Sequence, residues 1–168
     1  MQLHEFICKT RITEGDDKLH IRETYCSSFF NVESDEYKVA IETKYNFSDG
    51  FCYSGYLWDY LSSPVQIGVK YLVSEVKKLK EIYVLWDIHS CERIFIENYW
   101  KFEKDDILLL DGNILTEALH LLPEDIYIFD SSYTWTMILT HEYLKDERYC
   151  LKMIRAATGT IGCNKTPK

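Results

Sequence analysis

The chain has 168 residues, 46% hydrophobic and 27% charged, which is one domain's worth of sequence, with enough apolar content for a buried core and too much for a disordered chain. Its 27 acidic and 19 basic residues leave a formal net charge of −8, so it repels nucleic acid and anionic membranes and attracts cationic partners. The apolar runs are too short to span a bilayer, and the opening MQLHEFICKTRITEGDDK lacks the basic start and long apolar run of a secretory signal.

Residues 12–33 are ambiguous: Leu19, Cys26 and Phe30 suit a helix, but the polar beginning weakens the pattern. YKVAIETKYNF (37–47) alternates Tyr37, Val39, Ile41, Thr43, Tyr45 and Phe47 with more polar residues, which predicts a half-buried strand. SDG (48–50) is turn chemistry, and FCYSGY offers a returning strand. Over 62–81, Val65, Val69, Leu72, Val73, Val76 and Leu79 keep helical spacing, with Ser63 as a cap, Pro64 at the first position and lysines at the C-terminal end. EIYVLWDI (81–88) is apolar on both faces and predicts a central strand, followed by a loop and a return strand over 93–100.

ILTEALHLL (114–122) predicts a short helix stopped by Pro123. EDIYIFD (124–130) and TWTMILTHEY (134–143) predict a hairpin through Ser131 and Ser132, with Ile128 facing Trp135 and Ile126 facing Met137. KDERYCLKMIRAA (145–157) predicts a last helix, and 158–168 a frayed tail. Strands come in hairpins and do not alternate regularly with helices. The expectation is therefore one α+β domain over 1–157 with a mainly antiparallel sheet.

The six cysteines are scattered without C-x-x-C or zinc spacing, which predicts reduced thiols, no metal and a cytoplasmic protein. No phosphate loop, nucleophile elbow or dinucleotide fingerprint is present, so no cofactor is expected. His141 and Glu142 are adjacent, but an uninterrupted strand points neighbours to opposite faces, and the zincin motif would need a helix and a His at Lys145. His141 is then expected on the apolar face with Trp135, Met137 and Leu139, hydrogen-bonded structurally or acting as a general base if a cleft opens there. His89 and Cys91 lie in DIHSCER, where a Cys–His pair would need an electropositive setting that the surrounding residues do not supply.

Acidic residues cluster at Asp16/Asp17, Glu33/Asp35/Glu36, Glu103/Asp105/Asp106, Glu124/Asp125 and Asp146/Glu147, none in a calcium-loop pattern. Each alone fits a solvated loop; together they form an acidic rim suited to a basic partner. Glu103, Asp105 and Asp106, beside Trp100 and Phe102, combine charge with aromatic anchors and are the candidate partner-binding residues.

YVLWDIHSCERIFIENYW, LPEDIYIFD and YTWTMILTHEY together resemble small bacterial immunity proteins of polymorphic and contact-dependent toxin systems. The resemblance covers roughly residues 81–143 and carries no catalytic residues with it. It implies a cytoplasmic, non-enzymatic protein that binds a cognate, basic, nuclease-type toxin and covers its active site. Two other expectations stand beside it. One is a small enzyme using His141, Glu142 or His89 as acid–base groups; the other is a regulatory module that binds protein through exposed strand edges.

Overall fold

The structure is a computed structural model that describes residues 1–12, 15–43, 45–47, 50–52, 54–87 and 106–155. Among them the α-helices are α1 (Leu3–Lys9), α2 (Asp16–Phe29), α3 (Asp35–Tyr37), α4 (Val69–Val76) and α5 (Gly112–Ala118). The strands are β1 (Arg11–Ile12), β2 (Tyr45–Phe47), β3 (Gly50–Cys52), β4 (Val65–Ile67), β5 (Ile82–Trp86), β6 (Leu108–Leu110), β7 (Ile126–Phe129), β8 (Trp135–Leu144) and β9 (Glu147–Ile154). Seven strands form one sheet in the order β1-β6-β5-β7-β8-β9-β4, antiparallel at every pairing, and β2–β3 is a separate hairpin. The fold is α+β, as the hairpin pattern predicts. Both edges of the large sheet, β1 and β4, come from the N-terminal half of the chain.

Alternation along the strands divides the core in two. On one face Ile82, Val84 and Trp86 of β5, Ile126 and Ile128 of β7 and Met137 and Leu139 of β8 pack under Phe6, Leu72, Val76 and Leu115 of α1, α4 and α5. On the other, Leu85, Tyr127, Phe129, Ile138, Leu151 and Met153 pack under Tyr25 and Phe29 of α2, with Phe30, Tyr37, Leu57 and Leu61. Each fully buried Leu, Ile or Phe contributes on the order of 1.5–3 kcal/mol.

Strand β5 is central, as its unbroken apolar run predicts, and β2–β3 confirms the hairpin around SDG. The segment 37–47 is largely helical and not a strand: α3 runs into a π-helix over Lys38–Glu42, and only Tyr45–Phe47 is extended. Tyr37 and Ala40 are buried while Val39 is exposed, so the three-residue spacing prevails over the alternation. Ser34, accepting a hydrogen bond from the Tyr37 N–H, starts the helix.

The helix predicted over 62–81 is shorter, because Val65–Ile67 pairs with β9 and Gly68, not Ser63, is its N-cap. Helix α5 begins earlier than predicted because the Asp111 carboxylate accepts the Asn113 N–H at 2.7 Å. The predicted C-terminal helix is instead β9, turned out of β8 by Lys145 and Asp146, both at positive φ (51° and 66°). That conformation suits a two-residue hairpin, although such turns favour Asn-Gly.

In the β7–β8 hairpin Ile128 faces Met137 and Ile126 faces Leu139, two residues out from the predicted register. A two-residue slip keeps every side chain on its face. It makes room for a longer loop, in which Asp130 accepts the Ser132 N–H at 2.9 Å and the Trp135 indole N–H at 2.9 Å, and Tyr133 takes a φ of 50°. The predicted strand 93–100 and the predicted tail 158–168 lie outside the described residues.

Candidate functional site

Strand β8 continues past the end of β7, and its ladder with β9 is irregular between Leu139 and Tyr143. This bulge changes where His141 points. Met137 and Leu139 pack on the aliphatic face, and unbroken alternation would place His141 with them. Its ring instead lies 4.9 Å from Tyr56 and 6.2 Å from Trp58, which belongs to the aromatic face. Bulges re-aim side chains in this way. The expected position of His141 on the apolar face is therefore corrected.

The bulge is held by side chains. Asp125, just before β7 and 1% exposed, accepts the His141 backbone N–H at 3.0 Å. The His141 Nδ1–H also donates to the Asp125 carboxylate, 3.0 Å from each oxygen. Arg148 Nε donates to the Thr140 carbonyl at 2.7 Å, and Thr140 Oγ1 donates to the Tyr149 carbonyl at 2.8 Å. With Nδ1 engaged, Nε2 is the nitrogen left to accept a proton, and 32% of the His141 side chain is exposed. A carboxylate fixing the tautomer of a half-exposed imidazole is the arrangement of a general base. Glu142, adjacent in sequence, takes no part in it: the partner of His141 is Asp125.

The wall facing His141 is the 3₁₀ turn Leu57–Tyr60 and the residue before it. Tyr56 and Trp58 stack at 5.7 Å, and Trp58 also meets Tyr149 edge-on at 6.4 Å. The turn is fastened to the sheet through buried polar groups. Leu57 N–H donates to Asp87 Oδ1 at 3.3 Å, Trp58 N–H donates to the Tyr127 hydroxyl at 3.1 Å, and that hydroxyl donates to Asp87 Oδ2. Burial pushes the Asp87 carboxyl up to about 8, against the opposing effect of these hydrogen bonds. The Trp58 indole N–H is buried and finds no acceptor among the described residues.

Carboxylates surround this wall. Burial first, and then the charges of Glu142 and Asp125, raise the Asp59 carboxyl, against the Tyr56 N–H that it accepts. Beyond the bulge the β8–β9 tip carries Tyr143, 65% exposed, and Leu144, half exposed, beside Glu142, Asp146 and Glu147. Aromatic and acidic side chains thus share one end of the sheet.

Asp106 departs from expectation. It is 4% exposed and forms an ion pair with Lys18 at 3.1 Å, so its carboxylate joins α2 to the sheet and does not stand on a solvated loop. Its companions Trp100, Phe102, Glu103 and Asp105 lie outside the described residues, as do His89 and Cys91. Among the described residues no group of His, Cys, Asp and Glu has the geometry to hold a metal ion, and no helix is long and apolar enough to cross a membrane.

Sequence reasoning missed Tyr56, Trp58, Asp59, Asp87 and Asp125 as companions of His141. They come from three separate stretches of chain, and only Asp125 carries a sequence signal, as part of the acidic pair Glu124/Asp125. Comparison with family models, with curated proteins and with solved structures finds no match for this chain.

Proposed function

We propose that the chain is a non-enzymatic binding protein that neutralises a basic toxin domain, as an immunity protein does, by covering its active site. The observation that supports this reading is the extension of β8 beyond β7: Glu142, Asp146 and Glu147 accompany exposed Tyr143 and Leu144 at the β8–β9 tip, and Asp59, Tyr56 and Trp58 lie by His141 and Glu142 at its base. Aromatic side chains supply contact area at interfaces, and surrounding carboxylates speed the approach of a cationic partner. The net charge of −8 acts in the same direction at long range.

The test mixes the protein with the toxin domain encoded beside its gene. A one-to-one complex by size exclusion and restored growth of toxin-expressing cells are expected; no complex and no rescue would overturn the reading. The double variant Glu142→Lys with Tyr143→Ala is expected to lower affinity at least tenfold without moving the unfolding midpoint.

A second reading rests on the Asp125–His141 pair, which supports acid–base chemistry at Nε2. The variant His141→Gln separates the two. It abolishes turnover if His141 is the base, and it leaves toxin neutralisation intact if the surface binds a partner.

A further inference from the structure

A second surface lies on the aliphatic face, at the end of the β8–β9 ladder away from the tip. Beside α4 the sheet leaves a groove of about 260 Å³ whose lining includes Leu79, Trp135, Met137 and Ile154, with Glu75 and Lys152. Ile154 is 66% exposed. Exposed Val65 and Tyr71 adjoin it through Lys152, which pairs across the sheet with Val65 and stands over the Tyr71 ring. An apolar cavity of about 150 Å³ holds a benzene, so this groove accepts an aromatic side chain.

The border of the groove is slightly cationic on a chain whose net charge is −8. Lys78 bonds Glu75, and Lys80 pairs with Asp111. Lys152 Nζ donates to the Tyr71 hydroxyl at 2.8 Å and forms no ion pair among the described residues. Exposed Lys77 stands two residues before Leu79, with Glu81 two residues after it.

The β8–β9 tip has the complementary character. Tyr143 is 65% exposed and Leu144 50%, and beside them Glu142, Asp146 and Glu147 outnumber Lys145. The two surfaces cannot meet within one molecule. Strand β8 runs from Trp135 at the groove to Leu144 at the tip, and an extended strand of that length sets them roughly 30 Å apart.

We propose that the chain pairs with a second copy of itself, the β8–β9 tip of one copy seated in the groove of the other. Tyr143 fills the groove against Trp135, Met137 and Ile154, and the tip carboxylates face Lys152 and Lys77. The buried aromatic ring supplies the contact energy, and the opposite charges set its register. The contact joins unlike surfaces, so each copy brings one tip and one groove to it. The pairing stands independently of the toxin reading; a toxin bound at the tip would compete with the second copy.

Copies of like net charge repel at long range, and physiological salt screens that repulsion beyond about 8 Å. Sedimentation equilibrium at that ionic strength, over about 10 μM to 1 mM protein, is expected to show an average mass rising above that of one chain. Tyr143→Ala with Leu144→Ser disables the tip, and Ile154→Glu disables the groove. All three positions are half exposed or more, so both variants are expected to keep the parent's unfolding midpoint. Each variant alone is expected to self-associate at least tenfold more weakly. An equimolar mixture of the two is expected to form a one-to-one pair, because one intact tip and one intact groove remain between them. A parent that stays monomeric at every concentration would overturn the proposal and leave the groove to another molecule. Self-association that either variant retains in full, or a mixture that stays monomeric, would overturn it equally.

Discussion

The two faces of the sheet solve different problems. Under α1, α4 and α5 the buried side chains are almost all aliphatic, and packing alone holds them. Under α2 and the Leu57–Tyr60 turn the buried side chains include Tyr25, Phe29, Phe30, Tyr37, Tyr127 and Phe129, together with Asp87 and Thr136. Tyr25 bonds Thr136 at 2.9 Å, and Tyr127 bonds Asp87 and Trp58. A buried polar group must find a partner, and aromatic hydroxyls supply partners within an apolar layer. The aliphatic face stabilises the domain, whereas the aromatic face positions His141 and the 3₁₀ turn.

Four substitutions sharpen that contrast, and the first should have the largest effect. Gly112 opens α5 where its backbone meets the end of α4, and a Cβ there would lie 1.9 Å from the Val76 carbonyl oxygen. Backbone cannot yield as a flexible side chain can, so Gly112→Ala is expected to cost about 4 kcal/mol or more in urea unfolding. Leu115→Ala, a cavity in the same face, is expected to cost about 2–5 kcal/mol. On the aromatic face Tyr127→Phe removes little volume but strips a partner from Asp87 and from the Trp58 N–H. It is expected to cost about 1–3 kcal/mol and to shift the Trp58 environment in near-ultraviolet spectra, which Leu115→Ala does not.

The fourth prediction concerns pH. Asp87 has a carboxyl raised from 3.8 to about 8, so between those values the folded state binds more protons than the unfolded state. Its contribution therefore makes stability fall as pH rises through that window. Asp87→Asn does not titrate, and a series of urea midpoints across the window should be flatter for the variant than for the parent. An equal slope in both would remove Asp87 from the account.

Much of the fold is legible where one physical signal dominates. The unbroken apolar run of β5 marks a central strand, and the apolar matching of β7 against β8 gives their pairing, though not its register. Two elements carry competing signals. Tyr37, Ala40 and Ile41 have helical spacing inside a run that also alternates, and the Ser34 cap settles it. Strand β9 looks helical because nothing in Lys145-Asp146 announces a turn: left-handed backbone at two non-glycine residues is imposed by the strands on either side. The site is less legible still. His141 is conspicuous, but the bulge that turns it toward Tyr56 and Trp58 depends on Asp125, Thr140 and Arg148 acting together. The pairing of β4 with β9 joins residues about 85 positions apart, beyond the reach of any local pattern.

Both borders of the large sheet are early segments laid against late ones: β1 rests on β6, and β4 rests on β9. During synthesis β4 leaves the ribosome well before the strand that receives it. Until Glu147–Ile154 emerges, the described ladder offers Val65–Ile67 no neighbour, and the face that α4 covers remains unfinished. Long-range pairing of this kind is slow and leaves strand edges open in the interval. The order of translation thus opposes the order of assembly, and β9, the last strand among the described residues, is the one that lets the sheet close at that border.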